Sequence, residues 1–262
     1  MGAGLGLHQP ASVGRVSSPL DDGLRDARVL VTGAAGGIGA AVTAAFAAAG
    51  AVVVASDLHP PPTQASVTSL PADLRSVAEC ARLVEAAATE LGGLDVVAHM
   101  AGLLVRRPDL SEVTEQDWDA QHDINLKASF FLLRTAGELM TRQATGGRLI
   151  AATSQGWWSG GYGGSAVYAA SKGGLVSLCR GLARSYGAAG ITVNTVAPGA
   201  IDTAMLTTDL SDEALTRIVG ATPLGRLGRP DEVAGAVLFL ASSRASFITA
   251  ATLNVSGGWL TY

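Results

Sequence analysis

The 262-residue chain is short of reactive and charged side chains: charged residues are 15%, aromatics 5%, and there are two cysteines and four histidines. So little charge beside a 48% hydrophobic fraction excludes a disordered polymer and suits one domain with a large core. The net charge is −4 and lysine or arginine runs are absent, which leaves no basic surface for nucleic acid. Cys80 and Cys179 stand far apart in apparent helices without CxxC spacing, so a reduced, cytoplasmic setting is expected rather than a disulfide framework. Neither they nor His8, His59, His99 and His122 show ligand spacing, and no metal site is expected. Residues 29–56 carry no charge, yet the glycines at 33–39 and Gly50 cut them into strand, helix and strand, so no membrane span is expected. A basic start followed by an apolar block is missing, and Gly6 stands where an N-myristoylation site needs Ser or Thr.

Glycine, by contrast, is plentiful at 33 residues. Residues 28–39 read Arg-Val-Leu-Val-Thr-Gly-Ala-Ala-Gly-Gly-Ile-Gly. Val29, Leu30 and Val31 make a buried strand, and Gly33, Gly36, Gly37 and Gly39 turn the backbone into a helix that begins near Ile38. The first amides of such a helix lack internal partners and, with the helix dipole, favour a diphosphate. The glycine pattern alone arises by chance in so glycine-rich a chain; its context carries it. Asp57, followed by Leu58, ends the next apolar run 18 positions after Gly39, close to the roughly 20 expected of a carboxylate that binds the adenosine ribose hydroxyls. That carboxylate would repel the extra phosphate of NADP, and Ala34, Ala35 and Gly36 offer no basic group to offset it, so the cofactor expected is NAD.

Residues 1–23 have no apolar period and read as a loose extension ahead of a domain at 24–262. Strands are expected at 67–70, 94–100, 147–154, 191–196 and 253–255, and helices up to Leu91, from Thr114 through Met140, over 165–186 and over 230–241. Thr114 and Asp117 have capping-box spacing. Residues 156–164, rich in glycine and tryptophan, read as a loop. Alternating strands and helices call for an α/β parallel sheet covered on both faces, with ligands beyond the carboxyl ends of the strands.

Tyr168-Ala-Ala-Ser-Lys172 places a phenol and an ammonium on one helix face. A phenol of pKa about 10 is a poor base at neutral pH, and a cation a few ångströms away lowers that value. The motif alone is common on surface helices. Thr32-Gly33 to Gly39, Asp57, Asp73-Leu74, Ala101-Gly102, Asn125, Ser154, Tyr168, Lys172, Pro198 to Thr203, the segment 223–233 and Gly257-Gly258-Trp259 together resemble the short-chain dehydrogenase/reductase family in order and spacing. The resemblance runs from about Leu24 to the end and implies a single-domain, Rossmann-like, doubly wound sheet of about seven strands. It also implies that Gly33, Gly37 and Gly39 hold the diphosphate, Asp73 and Leu74 the adenine, Met100, Ala101 and Gly102 the strand end near the ribose, and Pro198, Gly199, Ile201 and Thr203 the nicotinamide carboxamide. Ser154 would bind the substrate oxygen and Tyr168 would be the acid/base. Lys172 would bind the ribose and lower the tyrosine pKa, and Asn125 would hold a relay water. A homotetramer through the long helices after Thr114 and Ser165 and the last strand is implied as well.

Two departures stand out. His99-Met100 replaces the usual Asn-Asn, so the bracing of the sheet must differ, and a strand-end histidine with a satisfied ring is expected. Ser154 lies 14 positions before Tyr168, one more than usual, which the glycines of 156–164 can absorb; a shifted register would put Gln155 in its place. Tyr162 has alanine at 166 and no lysine at i+4, which rules it out as the base. Trp157, Trp158, Tyr162, Met205 and Leu206 would line an apolar or flat pocket for a cyclic or aliphatic secondary alcohol or ketone, or the tryptophans would cover a subunit contact. A highly charged substrate is not expected: no Arg or Lys is clearly placed to hold a substrate phosphate or carboxylate, though Arg106 and Arg107 after the Ala101-Gly102 turn can reach the rim. The reading is an NAD-dependent alcohol dehydrogenase/ketoreductase; its rival is a dinucleotide-binding regulatory protein that has lost the chemistry, for which only His99-Met100 speaks.

Overall fold

The computed structural model describes residues 22–63, 65–208 and 210–261. Its strands are β1 (Arg28–Thr32), β2 (Val52–Asp57), β3 (Val67–Pro71), β4 (Val96–His99), β5 (Gly147–Ala152), β6 (Ile191–Pro198) and β7 (Thr252–Val255). They form one seven-stranded sheet in the order β3-β2-β1-β4-β5-β6-β7, with every pair parallel. The helices in chain order are α1 (Gly37–Ala48), α2 (Val77–Leu91), α3 (Glu115–His122), α4 (Ser129–Gln143), α5 (Gly156–Ser159), α6 (Ala166–Tyr186), α7 (Ala204–Thr207), α8 (Asp212–Ala221) and α9 (Pro230–Ala241).

The strands are valine-rich because both faces are covered, and successive side chains feed opposite cores. Val29, Val31, Val53, Val96 and Ile150 join one cluster with Phe46 of α1 and Val237 of α9. Leu30, Val54, Val97, Leu149 and Val193 join the other with Leu83 of α2, Leu132 of α4 and Leu175 of α6. After β3 the chain crosses to the far side of β1, so β1 lies between β2 and β4 and the strand order reverses there. A crevice at the carboxyl ends of β1 and β4 is where such sheets bind ligands.

The expected elements are present with three differences. The helix from Thr114 is not continuous: the Thr114–Asp117 capping box opens α3, and a π-helical turn at Asp123–Ala128 separates α3 from α4. The loop after β5 winds into the single-turn α5, and α7 and α8 follow β6. Among the described residues the amino end is tied down at Asp22, whose carbonyl accepts from Ser243 N (2.9 Å) and whose carboxylate pairs with Arg244 (2.6 Å). The rest of the expected extension, residues 1–21, lies outside the described residues. Among the described residues no helix is long and apolar enough to cross a membrane.

Candidate active site

The turn between β1 and α1 is built from close approaches that only hydrogen permits. Gly33 has φ +71°, and a Cβ there would lie 2.6 Å from Ala101 N; one on Gly39 would lie 2.0 Å from the Gly33 carbonyl oxygen. A Cβ on Gly37 would meet Thr203 Cγ2 at 2.6 Å. Side chains of Ser76, Thr114 and Ser211 cap α2, α3 and α8, whereas Gly36 supplies none to the first amides of α1. An uncapped helix start of this kind suits an anion such as a diphosphate. Asp57 ends β2 beside them: its carboxylate accepts from Ala35 N at 3.1 Å and Leu58 N at 2.7 Å. Leu58 is half exposed, and Ile38 packs on the first core. At the end of β3 the Asp73 carboxylate is gripped by Arg75, while Leu74 sinks into the second core. Behind Pro198, Gly199 lies so close to Ser256 that a Cβ would come within 2.6 Å of its Cα. Ile201 bridges to Gly228, and Thr203 caps α7 against Gly37. This cradle fits a nicotinamide dinucleotide. A cavity of about 210 Å³ lined by Ile201, Leu224, Asn254 and Ser256 lies behind the segment, away from the tyrosine.

Tyr168 and Lys172 face each other one turn apart on α6. The Lys172 ammonium is 5.7 Å from the Tyr168 ring centre and donates to the Ala152 carbonyl at 2.8 Å. Ser154 accepts from Gly156 N (3.2 Å), and its hydroxyl neighbours the Tyr168 phenol. Gln155 donates its backbone N–H to the Pro198 carbonyl (3.0 Å), and the loop that follows winds into α5. A Cβ on Gly102 would sit 3.2 Å from Lys172 Nζ and 3.3 Å from Asn125 Oδ1, which shows how tightly the end of β4 meets these two side chains.

The electrostatics correct one expectation. Burial pushes the Tyr168 phenol up to about 12, and the opposing pulls come from the neighbouring Ser154 hydroxyl and the Arg106 cation rather than from Lys172. Lys172, only 2% exposed, is itself brought down to about 8 by burial. Desolvation wins: Lys172 is enclosed by protein and Tyr168 is half-buried.

Asn125 sits in the π turn, fully buried. Its amide accepts from Leu103 N (2.8 Å) and donates to Leu103 O (2.9 Å) and to Ser171 Oγ (3.0 Å). Its backbone carbonyl accepts from Ser129 Oγ at 2.8 Å. Having spent its proton there, the Ser129 hydroxyl must accept from His99 Nε2 (2.8 Å), which leaves His99 Nδ1 to accept from Thr32 Oγ1 (2.7 Å). The chain Thr32, His99, Ser129, Asn125 thus ties β1 and β4 to the π turn and replaces the usual paired amides. Burial, aided by the Lys172 charge, lowers the His99 pKa to about 3 and keeps the ring neutral.

Sequence reading missed Thr32, Ser129, Ser171 and Thr153 as supports; Thr153 Oγ1 holds the Lys172 carbonyl at 3.0 Å. Spacing offered a signal for one, since Ser129 lies at i+4 from Asn125. Of the expected pocket residues, Trp158, Tyr162 and Met205 are exposed apolar groups, and Tyr162 meets Trp259 edge-on at 5.8 Å. Trp157 lies under Arg180 (5.7 Å), and its carbonyl would meet a Cβ on Gly173 of α6 at 3.6 Å. Arg107 is locked in a two-pronged pair with Asp117, both contacts 2.8 Å. Arg106 reaches the Met205 carbonyl at 3.4 Å.

Comparison with known proteins agrees with this geometry. The family described as enoyl-(acyl carrier protein) reductase matches residues 33–260. The short-chain dehydrogenase/reductase eriH of Hericium erinaceus is 36% identical over 245 residues, 88% of this chain and 96% of that protein. The 2-dehydro-3-deoxy-D-gluconate 5-dehydrogenase of Escherichia coli is 34% identical over 240 residues, 88% of this chain and 94% of that one. The crystal structure of a short-chain type dehydrogenase/reductase from Mycobacterium marinum superposes with a TM-score of 0.86 at 27% identity, covering 91% of this chain and 97% of its own. With the glycine turn, the serine, tyrosine and lysine at one strand-end crevice and relatives of this kind along nearly its whole length, the chain belongs to the short-chain dehydrogenase/reductase family of oxidoreductases.

Proposed function

We propose that the protein is an NAD-dependent oxidoreductase that interconverts a secondary alcohol and a ketone. The observation that carries this reading is the grouping of Ser154, Tyr168 and Lys172, with the ammonium 5.7 Å from the phenol ring centre, at the crevice that the glycine turn opens. Bound NAD would accept the hydride in oxidation and return it in reduction; Gly33, Gly37, Gly39 and Asp57 would hold its diphosphate and ribose. Ser154 would hydrogen-bond the substrate oxygen and fix its distance from Tyr168. The Tyr168 hydroxyl would give the proton to the oxygen in reduction and take it back in oxidation. Lys172 would reach the nicotinamide ribose, and Asn125 would hold a relay water, with the π turn fixing its place. A phenol raised to about 12 is protonated at neutral pH, so the acid needed for ketone reduction is the resting form. Alcohol oxidation should accordingly quicken as pH rises. A cytoplasmic homotetramer completes the proposal.

Tyr168→Phe should lower NADH formation by about 10² to 10⁴ while NAD binding persists. Turnover at the wild-type rate would remove Tyr168 from the mechanism.

A further inference from the structure

We infer that Arg106 is the specificity-determining residue of this site, a guanidinium at the cleft mouth that receives a carboxylate carried by the alcohol or ketone. The inference rests on the oxidoreductase reading above. Two adjacent arginines leave the Ala101-Gly102 turn, and they are used differently. Arg107 is consumed by Asp117, which takes both prongs of its fork. Arg106 has no carboxylate within ion-pair distance among the described residues, and its guanidinium meets one acceptor, the Met205 carbonyl, at a long 3.4 Å. A half-buried cation with most of its five donors unspent is a binding group, since an arginine fork matches a carboxylate two-to-two.

Its position gives that fork a target. Arg107 N donates to the Gly164 carbonyl (3.0 Å), which pins this segment to the loop ending four residues before Tyr168. Met205 belongs to α7, on the opposite wall, where Thr203 abuts Gly37. Arg106 therefore spans the gap between the tyrosine side and the nicotinamide side of the cleft. Its charge reaches the phenol, which it pulls downward against burial. Exposed Met205 and Tyr162 offer apolar cover nearby. A substrate with a small aliphatic body, a secondary carbinol and one carboxylate satisfies all of these groups together.

The test compares matched probes that differ in charge, 3-hydroxybutyrate with its methyl ester and D-gluconate with D-glucitol, by NADH formation. Wild-type enzyme should favour the acid of at least one pair. In Arg106→Gln, which keeps a donor for the Met205 carbonyl but no charge, the ratio of kcat/KM for acid over neutral partner should fall roughly 30-fold or more, chiefly through KM; Arg106→Lys should recover part of it. Equal losses on acid and neutral probes, or no acid preference in the wild type, would overturn the inference. A second measurement needs no turnover: malonate should quench the tryptophan fluorescence of wild type with a Kd that weakens in Arg106→Gln. Malonate binding equally well to both also overturns it. Malonate binding that depends on Arg106 in a protein that oxidises no alcohol would leave the anion site standing and remove the oxidoreductase reading.

Discussion

His99 is held neutral by burial, and that gives the protein a pH dependence of known sign. Its pKa in the fold, about 3, lies below the ordinary 6.5, so the native state disfavours the proton. The contribution is complete above about pH 6.5 and is lost progressively as pH falls toward 3, at about 1.4 kcal/mol per unit. Thermal unfolding of wild type should fall between pH 7 and 5 more steeply than that of His99→Gln, which can still accept from Thr32 and donate to Ser129 without titrating; parallel curves would show that His99 takes up no proton on unfolding. Asp57 sets the second residue-level expectation. Its carboxylate already accepts from Ala35 and Leu58, and in the proposed function it binds the adenosine ribose, where it would oppose a 2′-phosphate. Asp57→Ala should raise kcat/KM for NADP relative to NAD by about tenfold or more, as expected from removing a like charge. Comparable Michaelis constants for the two cofactors in wild type would contradict NAD preference. The types of these residues were readable beforehand, and so was the satisfied ring of His99. Its partners were not: Thr32 and Ser129 lie 67 and 30 positions away, and only the sheet and α4 bring them to it.

Among the elements, the turn from β1 to α1 was the most legible, because glycines at fixed offsets between an apolar run and a helix leave few alternatives. The structure adds a ranking within it. A methyl on Gly39 would collide with backbone, the Gly33 carbonyl at 2.0 Å, and nothing there can rotate aside. A methyl on Gly37 meets the Thr203 side chain, which can turn away. Gly39→Ala should therefore weaken NADH binding, followed by its fluorescence, far more than Gly37→Ala; equal effects would mean that the turn opens freely. The π turn at Asp123–Ala128 was not legible. Its apolar spacing differs from an α-helix by one residue, and what makes the wider turn acceptable is tertiary: the Ser129 hydroxyl reaches back to the Asn125 carbonyl, and His99 completes that hydroxyl's bonding. Helices α7 and α8 were missed for the related reason that short helices carry too few periods to stand out.

At the scale of the whole molecule, Phe247, between α9 and β7, is fully exposed, and Phe239, near the end of α9, is partly so. Apolar groups left outward beside the last strand agree with the proposed assembly through that region. Light scattering at working concentration should return about four times 26.4 kDa, and a monomeric mass would refute the tetramer. The chain's own residues were enough to settle the layered α/β architecture, because valine-rich strands alternating with alanine-rich helices can bury themselves only as a parallel sheet covered on both faces. They also settled which phenol and which ammonium face each other, because i and i+4 share a helix face whatever surrounds them. What surrounds them was decided by folding: desolvation, not the neighbouring lysine, governs the Tyr168 proton, and of two consecutive arginines one is spent on Asp117 while the other is left at the cleft. Local spacing fixes direction along an element, whereas burial and pairing depend on groups that only the packed chain places within reach.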